Sequence, residues 1–365
     1  MKLLHIFWVA TCLAATSAFA DTPQIVTWNI NGGEQDKDIL ATNALEMMHD
    51  IGSFDVLVLQ EVVSSRQVAE IADEIGFDHW AISDFSPPVE TTGHWPKSLE
   101  VAIISRTPFE KIAEWDTSVD GYDPRASNED WPTESLDLGL TINGSERPSR
   151  GFLRVDLADG LSVYAAHWKS SGGAKGDDDL SNAAKRENNA RGLAADASAV
   201  LQSGRSVVIA GDFNIQPIGK HVRVGSNVAE DCKPSLNDCG AGGRDGYDDS
   251  MKILSEIGFG YRLLSAELPP TYLAGNFGPG AIDHIVVAGP LANSFPNAET
   301  VSVARNRYFG SDHSPVYAKK ANQGVLNATS LDTLGRAGRD AEIQRLIGEV
   351  RERLELLEQL TRVSE

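Results

Sequence analysis

Ala210-Gly211-Asp212-Phe213-Asn214 ends one apolar, β-branched run, Ser206–Gly211, and Ser311-Asp312-His313-Ser314-Pro315 opens another, Pro315–Ala318. In both places an apolar stretch meets side chains that can carry a proton or hold a cation. The same arrangement recurs outward from these two. Gln24–Ile30 contains Asn29 in Thr-Trp-Asn-Ile, and Asp55–Gln60 leads into Glu61 in Val-Leu-Gln-Glu. Leu161–His167 ends in Ala-Ala-His-Trp-Lys-Ser, and Ile282–Ala288 begins with Ile-Asp-His-Ile, which holds Asp283 and His284. With Val101–Ser105 and Gly151–Leu157 these runs read as short strands.

Helical spacing falls between some of them. Ile39, Leu45, Met48 and Ile51 mark one helix, and Val68, Ile71 and Ile75 mark a second that Gly76 ends. Ser181–Leu201 reads as a third and Ser250–Ile257 as a shorter fourth. Strands and helices do not alternate strictly, so an α+β sandwich with helices outside two sheets fits better than a doubly wound sheet. Asp84–Arg150, with Trp95, Trp115 and Trp131, and Ile215–Asp249, with two cysteines, read as insertions.

The ends of the chain have a different composition. Lys2, an apolar stretch to about Ala15 and Ala18-Phe19-Ala20 make residues 1–20 a cleavable export signal, too short for a membrane anchor. The expected location is therefore secreted or periplasmic, with no transmembrane segment. Cys12 leaves with the signal, and the remaining pair, Cys232 and Cys239, reads as a disulfide, the alternative being two free thiols. Residues 21–320 are the expected catalytic domain and 321–338 a linker. In 339–365, Ile343, Ile347, Val350, Leu354 and Leu357 form one amphipathic helical stripe suited to weak self-association. The net charge of -20 argues against a broad basic surface for nucleic acid.

Each polar residue taken alone has a plain structural explanation: a carboxylate after a strand caps a helix, a lone histidine is hydrogen-bonded, and Gly-Asp is a turn. Together they form a set suited to metal-assisted phosphoryl chemistry. A phosphodiester repels nucleophiles until a hard cation on carboxylates neutralises its oxygens. An Asp or His must take a proton from water, and amides or imidazolium must hold the developing charge. Hard oxygen ligands and few cysteines favour Mg²⁺ or Mn²⁺, with Ca²⁺ as a further choice, over zinc.

These motifs, in this order, resemble the endonuclease/exonuclease/phosphatase (deoxyribonuclease I-like) superfamily over about residues 24–319, and in wording bacterial extracellular nucleases above all. The resemblance implies a four-layer α/β/β/α sandwich of two mixed β-sheets. It implies Glu61 as principal metal ligand with Asn29 beside it, and Asp312 as a further ligand. Asp212 and Asn214 would orient water and phosphate, and His313, held by Asp283, would act as acid/base or charge stabiliser. His167 would contact the phosphate or protonate the leaving group, oriented by Glu100. Whether an Asp or a His is the base stays open. Arg106 and Lys169 are candidate phosphate contacts, and His284, on the opposite strand face, is structural.

The activity implied is a secreted, metal-dependent phosphodiesterase, a nuclease on DNA or RNA. The alternative is a sphingomyelinase-like or other lipid or small-molecule phosphoesterase, with the tryptophans of Asp84–Arg150 contacting an apolar group. A non-catalytic interaction protein using the C-terminal helix is a third reading. The presence of Glu61, Asp212 and His313 together argues against it.

Overall fold

Strict alternation along the strands builds the layers. In β9 (Ser206–Asp212), Val208 and Ala210 join one buried cluster and Val207 and Ile209 another. In β8 (Leu161–His167), Val163 and Ala165 join the first, and Tyr164 and Ala166 the second. A strand buried on both faces lies between two apolar layers, and every central strand here does. The computed structural model describes residues 24–31, 37–85, 99–116, 127–141, 150–170, 177–216, 221–223, 228–230, 247–272, 280–301 and 311–318.

Two mixed sheets result. The first contains β1 (Ile25–Asn29), β2 (Val56–Val62), β3 (His79–Ile82), β4 (Glu100–Ser105), β15 (Glu299–Thr300) and β16 (Val316–Ala318), in the order β15-β16-β1-β2-β4-β3. The second adds β5 (Phe109–Trp115), β6 (Glu134–Ser135), β7 (Phe152–Leu157), β13 (Arg262–Leu263) and β14 (Asp283–Ala288) to β8 and β9, in the order β13-β14-β9-β8-β7-β5-β6. Ile25, Val58, Ile103, Val155, Val163, Val208 and Ile285 share the apolar layer between the sheets. Helices α1 (Lys37–Ile51) and α2 (Ser65–Ile75) cover the outer face of the first sheet, with Leu40, Met47, Val68 and Ile71 packed on Trp28, Leu57 and Leu59. Helices α3 (Asp177–Gln202) and α4 (Ser250–Ser255) cover the second, with Leu193, Ala197 and Leu254 on Tyr164, Ile209 and Val286. This is the α/β/β/α sandwich.

The eight expected strands are present, and α2 ends at Gly76 in the left-handed conformation at φ 70°. Two readings need correction. The buried stripe of α1 is Leu40, Ala44, Met47 and Ile51, at steps of four, three and four, while Ile39 is 53% and Leu45 37% exposed. Asp84–Arg150 is no insertion throughout, because it supplies β4 and β5 to both sheets. Trp115 belongs to the core, and its ring lies where a Cβ at Gly192 of α3 would sit. Ile215–Asp249 includes a small sheet of β10 (His221–Arg223), β11 (Val228–Glu230) and β12 (Tyr247–Asp248). The leader over 1–20, Cys232 and Cys239, the linker and the 339–365 helix lie outside the described residues.

His284 points away from Asp283, into the outer layer. Its Nε2 lies 2.8 Å from the Ile215 carbonyl and its Nδ1 2.8 Å from Ser265 Oγ. A carbonyl only accepts, so Nε2 carries the hydrogen and Nδ1 accepts from the serine, which fixes a neutral ring. Burial lowers its pKa to about 4 against the opposing pull of the Ile215 carbonyl and Asp283. The unfolded chain, with a histidine near 6.5, therefore binds the proton first, and stability falls as pH drops from about 6.5 to about 4. This one group should account for about 3 kcal/mol of that loss. Denaturant unfolding across this window should show a shallower pH dependence for His284→Gln than for the wild type. Parallel curves would show that the imidazole titrates alike in both states.

Candidate active site

On β8, β9 and β14 the inward-facing row stays apolar until it reaches one end of the sandwich, where it turns polar, and β1 ends at the same place. Asn29 ends the row Ile25, Thr27 on β1, and His167 ends Val163, Ala165 on β8. Asp212 ends Val208, Ala210 on β9, and Asp283 starts Ile285, Val287 on the antiparallel β14. Register completes the arrangement: His167 pairs with Asp212 across parallel β8 and β9, and Asp212 pairs with Asp283 across β14. Gly211 makes this pairing possible, since a Cβ there would run into the Ala166 carbonyl on β8.

Glu61 arrives differently. Gln60 pairs with Val101 and Val62 with Glu100, so Glu61 is an extra residue, a β-bulge, at φ 60°. A non-glycine residue in this region is strained, and bulges re-aim side chains next to sites. The Glu61 carboxylate turns into the cleft, with Oε1 3.8 Å from His167 Nε2.

Asp212 is the hub. Its Oδ2 accepts from Asn29 Nδ2 at 3.2 Å and lies 3.5 Å from His167 Nε2 and 3.9 Å from His313 Nε2. Its Oδ1 accepts from the Asn214 backbone N–H at 2.9 Å, a turn that holds Asn214 at φ 53°. The Asn214 amide donates to the Trp168 carbonyl at 3.1 Å, bracing the end of β8. Burial first, with Asp283 and Glu61 adding to it against His313 and the Asn214 N–H, lifts the Asp212 carboxyl to about 7.

His313 is held from behind by Asp283, with Nδ1 2.9 Å from Oδ2 and 3.1 Å from Oδ1. Burial opposes its charge, but Asp283, then Asp212 and Asp312, overcome burial and raise its pKa to about 10. Asp312 is the half-buried residue before it in the chain. Ser311 Oγ ties this segment to the far end of the sequence by donating to the Asn29 carbonyl at 2.6 Å. His167 behaves in the opposite way: burial, then Arg150, His313 and Lys169, hold its pKa well below the usual value, so it is neutral.

The residues present fit a divalent cation. Glu61 Oε1 and Asp212 Oδ2 both face His167 Nε2, at 3.8 and 3.5 Å, so hard oxygen donors gather in the cleft beside the acidic cluster of Asp212 and Asp283. The Asp212 and Asp283 carboxylates are buried side by side with Glu61 partly exposed next to them, and this crowding adds to the burial that raises the Asp212 pKa. Added positive charge would relieve that crowding.

Two expected contacts lie elsewhere. Arg106 follows β4 at the end remote from Glu61, donates to the Phe54 carbonyl at 3.1 Å and stacks over Phe77 at 4.3 Å. It braces the sheet and touches nothing in the cleft that the described residues form. Glu100 accepts from Ser83 Oγ at 2.5 Å and the Phe85 N–H at 2.9 Å, while His167 Nδ1 has no hydrogen-bond partner among the described residues.

The cation that sequence reading missed is Arg150. It donates to the Trp168 carbonyl at 3.3 Å and the His167 carbonyl at 3.5 Å. Burial lowers its pKa, and Glu61, Asp212 and Glu100 pull the other way, which places its charge inside the site. The β7–β8 hairpin held the signal: Phe152 pairs with Ala166, so Arg150 falls beside Trp168. Lys169 follows two residues after His167, its carbonyl held by Arg186 at 2.6 Å. Burial, then Arg150, Lys185 and Arg186, lowers its pKa.

The electrostatics have a direct readout. Asp283 outweighs Asp212 in charging His313. In metal-free protein, Asp283→Asn should lower the His313 pKa, followed by imidazole NMR, further than Asp212→Asn does. An equal or reversed order would mean the direct contact is not the dominant influence.

Over residues 26–313 the chain matches the Endonuclease/Exonuclease/phosphatase family. No curated protein matches it. Among solved structures, an AP endonuclease from Archaeoglobus fulgidus is similar at 15% identity and a TM-score of 0.50, over 82% of this chain and 100% of that one. A 3′ phosphatase from Neisseria bound to product DNA hairpin is similar at 14% identity and a TM-score of 0.49, over 82% and 99%. The first likeness shares the two-sheet architecture, and the family match spans every strand end that carries a polar residue of the site from Asn29 to His313. The chain belongs to the endonuclease/exonuclease/phosphatase family.

Proposed function

We propose that this phosphoric ester hydrolase is an exported, divalent-metal-dependent phosphodiesterase that cleaves nucleic acid by in-line attack of water. The observation that carries the reading is the convergence of Asp212 with both histidines. One carboxylate oxygen stands 3.5 Å from His167 Nε2 and 3.9 Å from His313 Nε2, in a pocket that also takes the Glu61 carboxylate. A divalent cation held by Glu61, with Asn29 and Asp312 beside it, supplies when bound the positive charge that neutralises phosphate oxygens; Mg²⁺ suits this donor set, as do Mn²⁺ and Ca²⁺.

The protein groups divide the remaining work. Asp212, raised to about 7 without metal and ionised once positive charge is added beside it, accepts the proton of the attacking water. His313, already protonated at neutral pH, is not the base; its Nε2–H stabilises charge on the phosphate oxygens. His167, neutral and facing Glu61 and Asp212, contacts the phosphate through Nε2. Asn214 positions Asp212 and the end of β8 rather than reaching out itself.

Substrate class follows from charge. In a chain of net charge -20, Arg150, Lys169 and Lys185 gather beside His167, while Arg186 behind them is buried in an ion pair with Asp248. Neighbouring phosphates of a polyanion need such a rim, whereas a choline phosphodiester does not. Of the three tryptophans of the lipid reading, Trp115 is 5% exposed and packed in the core, Trp131 is 39% exposed, and Trp95 lies outside the described residues. Residues 1–20 support export.

Hydrolysis of DNA, RNA and bis(p-nitrophenyl) phosphate by the purified chain tests the reading. Asp212→Asn and His313→Ala should each lose at least about 10²-fold in kcat while staying folded. EDTA should abolish activity, and Mg²⁺ or Mn²⁺ restore it. Wild-type rates in Asp212→Asn, or full activity after complete metal removal, would refute the mechanism. Lys169→Ala should raise KM for an oligonucleotide more than for bis(p-nitrophenyl) phosphate and reduce the salt slope by about one. Equal changes on the two substrates would remove Lys169 from the substrate path.

A further inference from the structure

Thr271 lies twelve residues before Asp283 and outside every motif singled out in the sequence, yet its side chain touches Asp283 and its backbone reaches the segment that carries His313. Its hydroxyl oxygen accepts from the backbone N–H of Ile282 at 3.1 Å and of Asp283 at 3.2 Å. A hydroxyl has two lone pairs and one proton, so both acceptor positions are taken. The one proton then has a choice between the Gly280 carbonyl at 3.5 Å and Asp283 Oδ2 at 2.6 Å. The shorter, charge-assisted bond to the carboxylate wins.

The same residue reaches the histidine segment through its backbone. The Thr271 carbonyl accepts from the Ser314 N–H, next to His313, at 2.7 Å. Its neighbour Tyr272 bridges to His313 and packs its ring on the imidazole at 4.9 Å between centroids. Asp283 Oδ2 therefore receives two donors, the threonine hydroxyl and His313 Nδ1 at 2.9 Å. Thr271 and Asp283 are fully buried, so water offers no substitute for a lost bond.

We propose that Thr271 is a positioning residue of the active site: its hydroxyl fixes the Asp283 carboxylate orientation that aims His313 Nε2 into the cleft. Threonine is needed in two respects. Its oxygen closes the turn at Ile282–Asp283, and its proton selects one rotamer of Asp283. Valine keeps the volume and removes both functions. A buried carboxylate left short of a donor rotates toward another, and His313 follows it.

The catalytic part of this proposal rests on the hydrolase reading above, so the experiment has two arms. The first is the downfield Nδ1–H resonance of His313 in the metal-free full chain, assigned by its absence from His313→Ala. Thr271→Val should shift or broaden it, and Thr271→Ser should restore the wild-type position. The second is steady-state hydrolysis of bis(p-nitrophenyl) phosphate. Thr271→Val should lower kcat by about 10–100-fold with KM little changed, and Thr271→Ser should recover most of kcat. If the valine variant does not fold, Thr271→Ala is read in the same way. An unmoved resonance with wild-type kcat in either variant overturns the proposal. So does a serine variant as impaired as valine, because the methyl group would then be the part that matters. A wild-type chain inactive on every phosphodiester would sink the hydrolase reading, while the resonance would still decide whether Thr271 holds the pair.

Discussion

The site depends on one constraint: three neighbouring strands keep a fixed register up to their last inward-facing residue. His167, Asp212 and Asp283 stand in one row because β8, β9 and β14 pair residue for residue across Gly211. A slip of one residue on any strand would send that side chain into the outer apolar layer and draw an apolar neighbour into the cleft. The apolar layer between the sheets therefore sets the geometry of the chemistry at its open end. Val208, Ala210, Val163 and Ile285 never touch substrate, yet their packing locks the register that the carboxylates share.

Placing so many anions together has an electrostatic cost, and the structure offsets it unevenly. His313 is charged because Asp283 sits behind it, whereas His167 is kept neutral by burial and by Arg150. Two imidazoles about equally far from one Asp212 oxygen thus differ in charge because of what surrounds each ring. The bulge at Glu61 adds a strained backbone turn that brings a further carboxylate toward this crowd. Strain and like-charge repulsion of this kind persist where function selects them.

Much of this was legible in the sequence, for a physical reason. The central strands are buried on both sides, so they read as apolar runs, and the polar residues ending them stand out. The strands that escaped notice carry mixed patterns. In β5, Phe109-Glu-Lys-Ile-Ala-Glu-Trp115, a register shift between Phe109 and Lys111 breaks the two-residue period. The α1 stripe differs because Ile39 and Leu45 are apolar but exposed, while Leu40, Ala44 and Met47, on the adjoining face, make the buried side. Arg106 looked like Arg150 in sequence, a cation bordering a strand. Only strand direction separates them, one lying at the cleft end of its sheet and the other at the opposite end. Glu100 shows the limit of motif transfer: it starts the right strand, but its carboxylate is engaged by Ser83 and Phe85.

The pairing of the first strand with the last has a consequence for how the domain can be extended. Ile25 and Ala318 are direct partners at the edge of the sandwich remote from Asn29. Both attachment points of the catalytic unit therefore sit side by side, on the side away from the cleft. A segment can be attached or exchanged at either point without its junction entering the cleft. Joining the two points through a short linker and opening the chain elsewhere would keep every strand neighbour. The architecture thus leaves the termini free to vary while the site stays as it is.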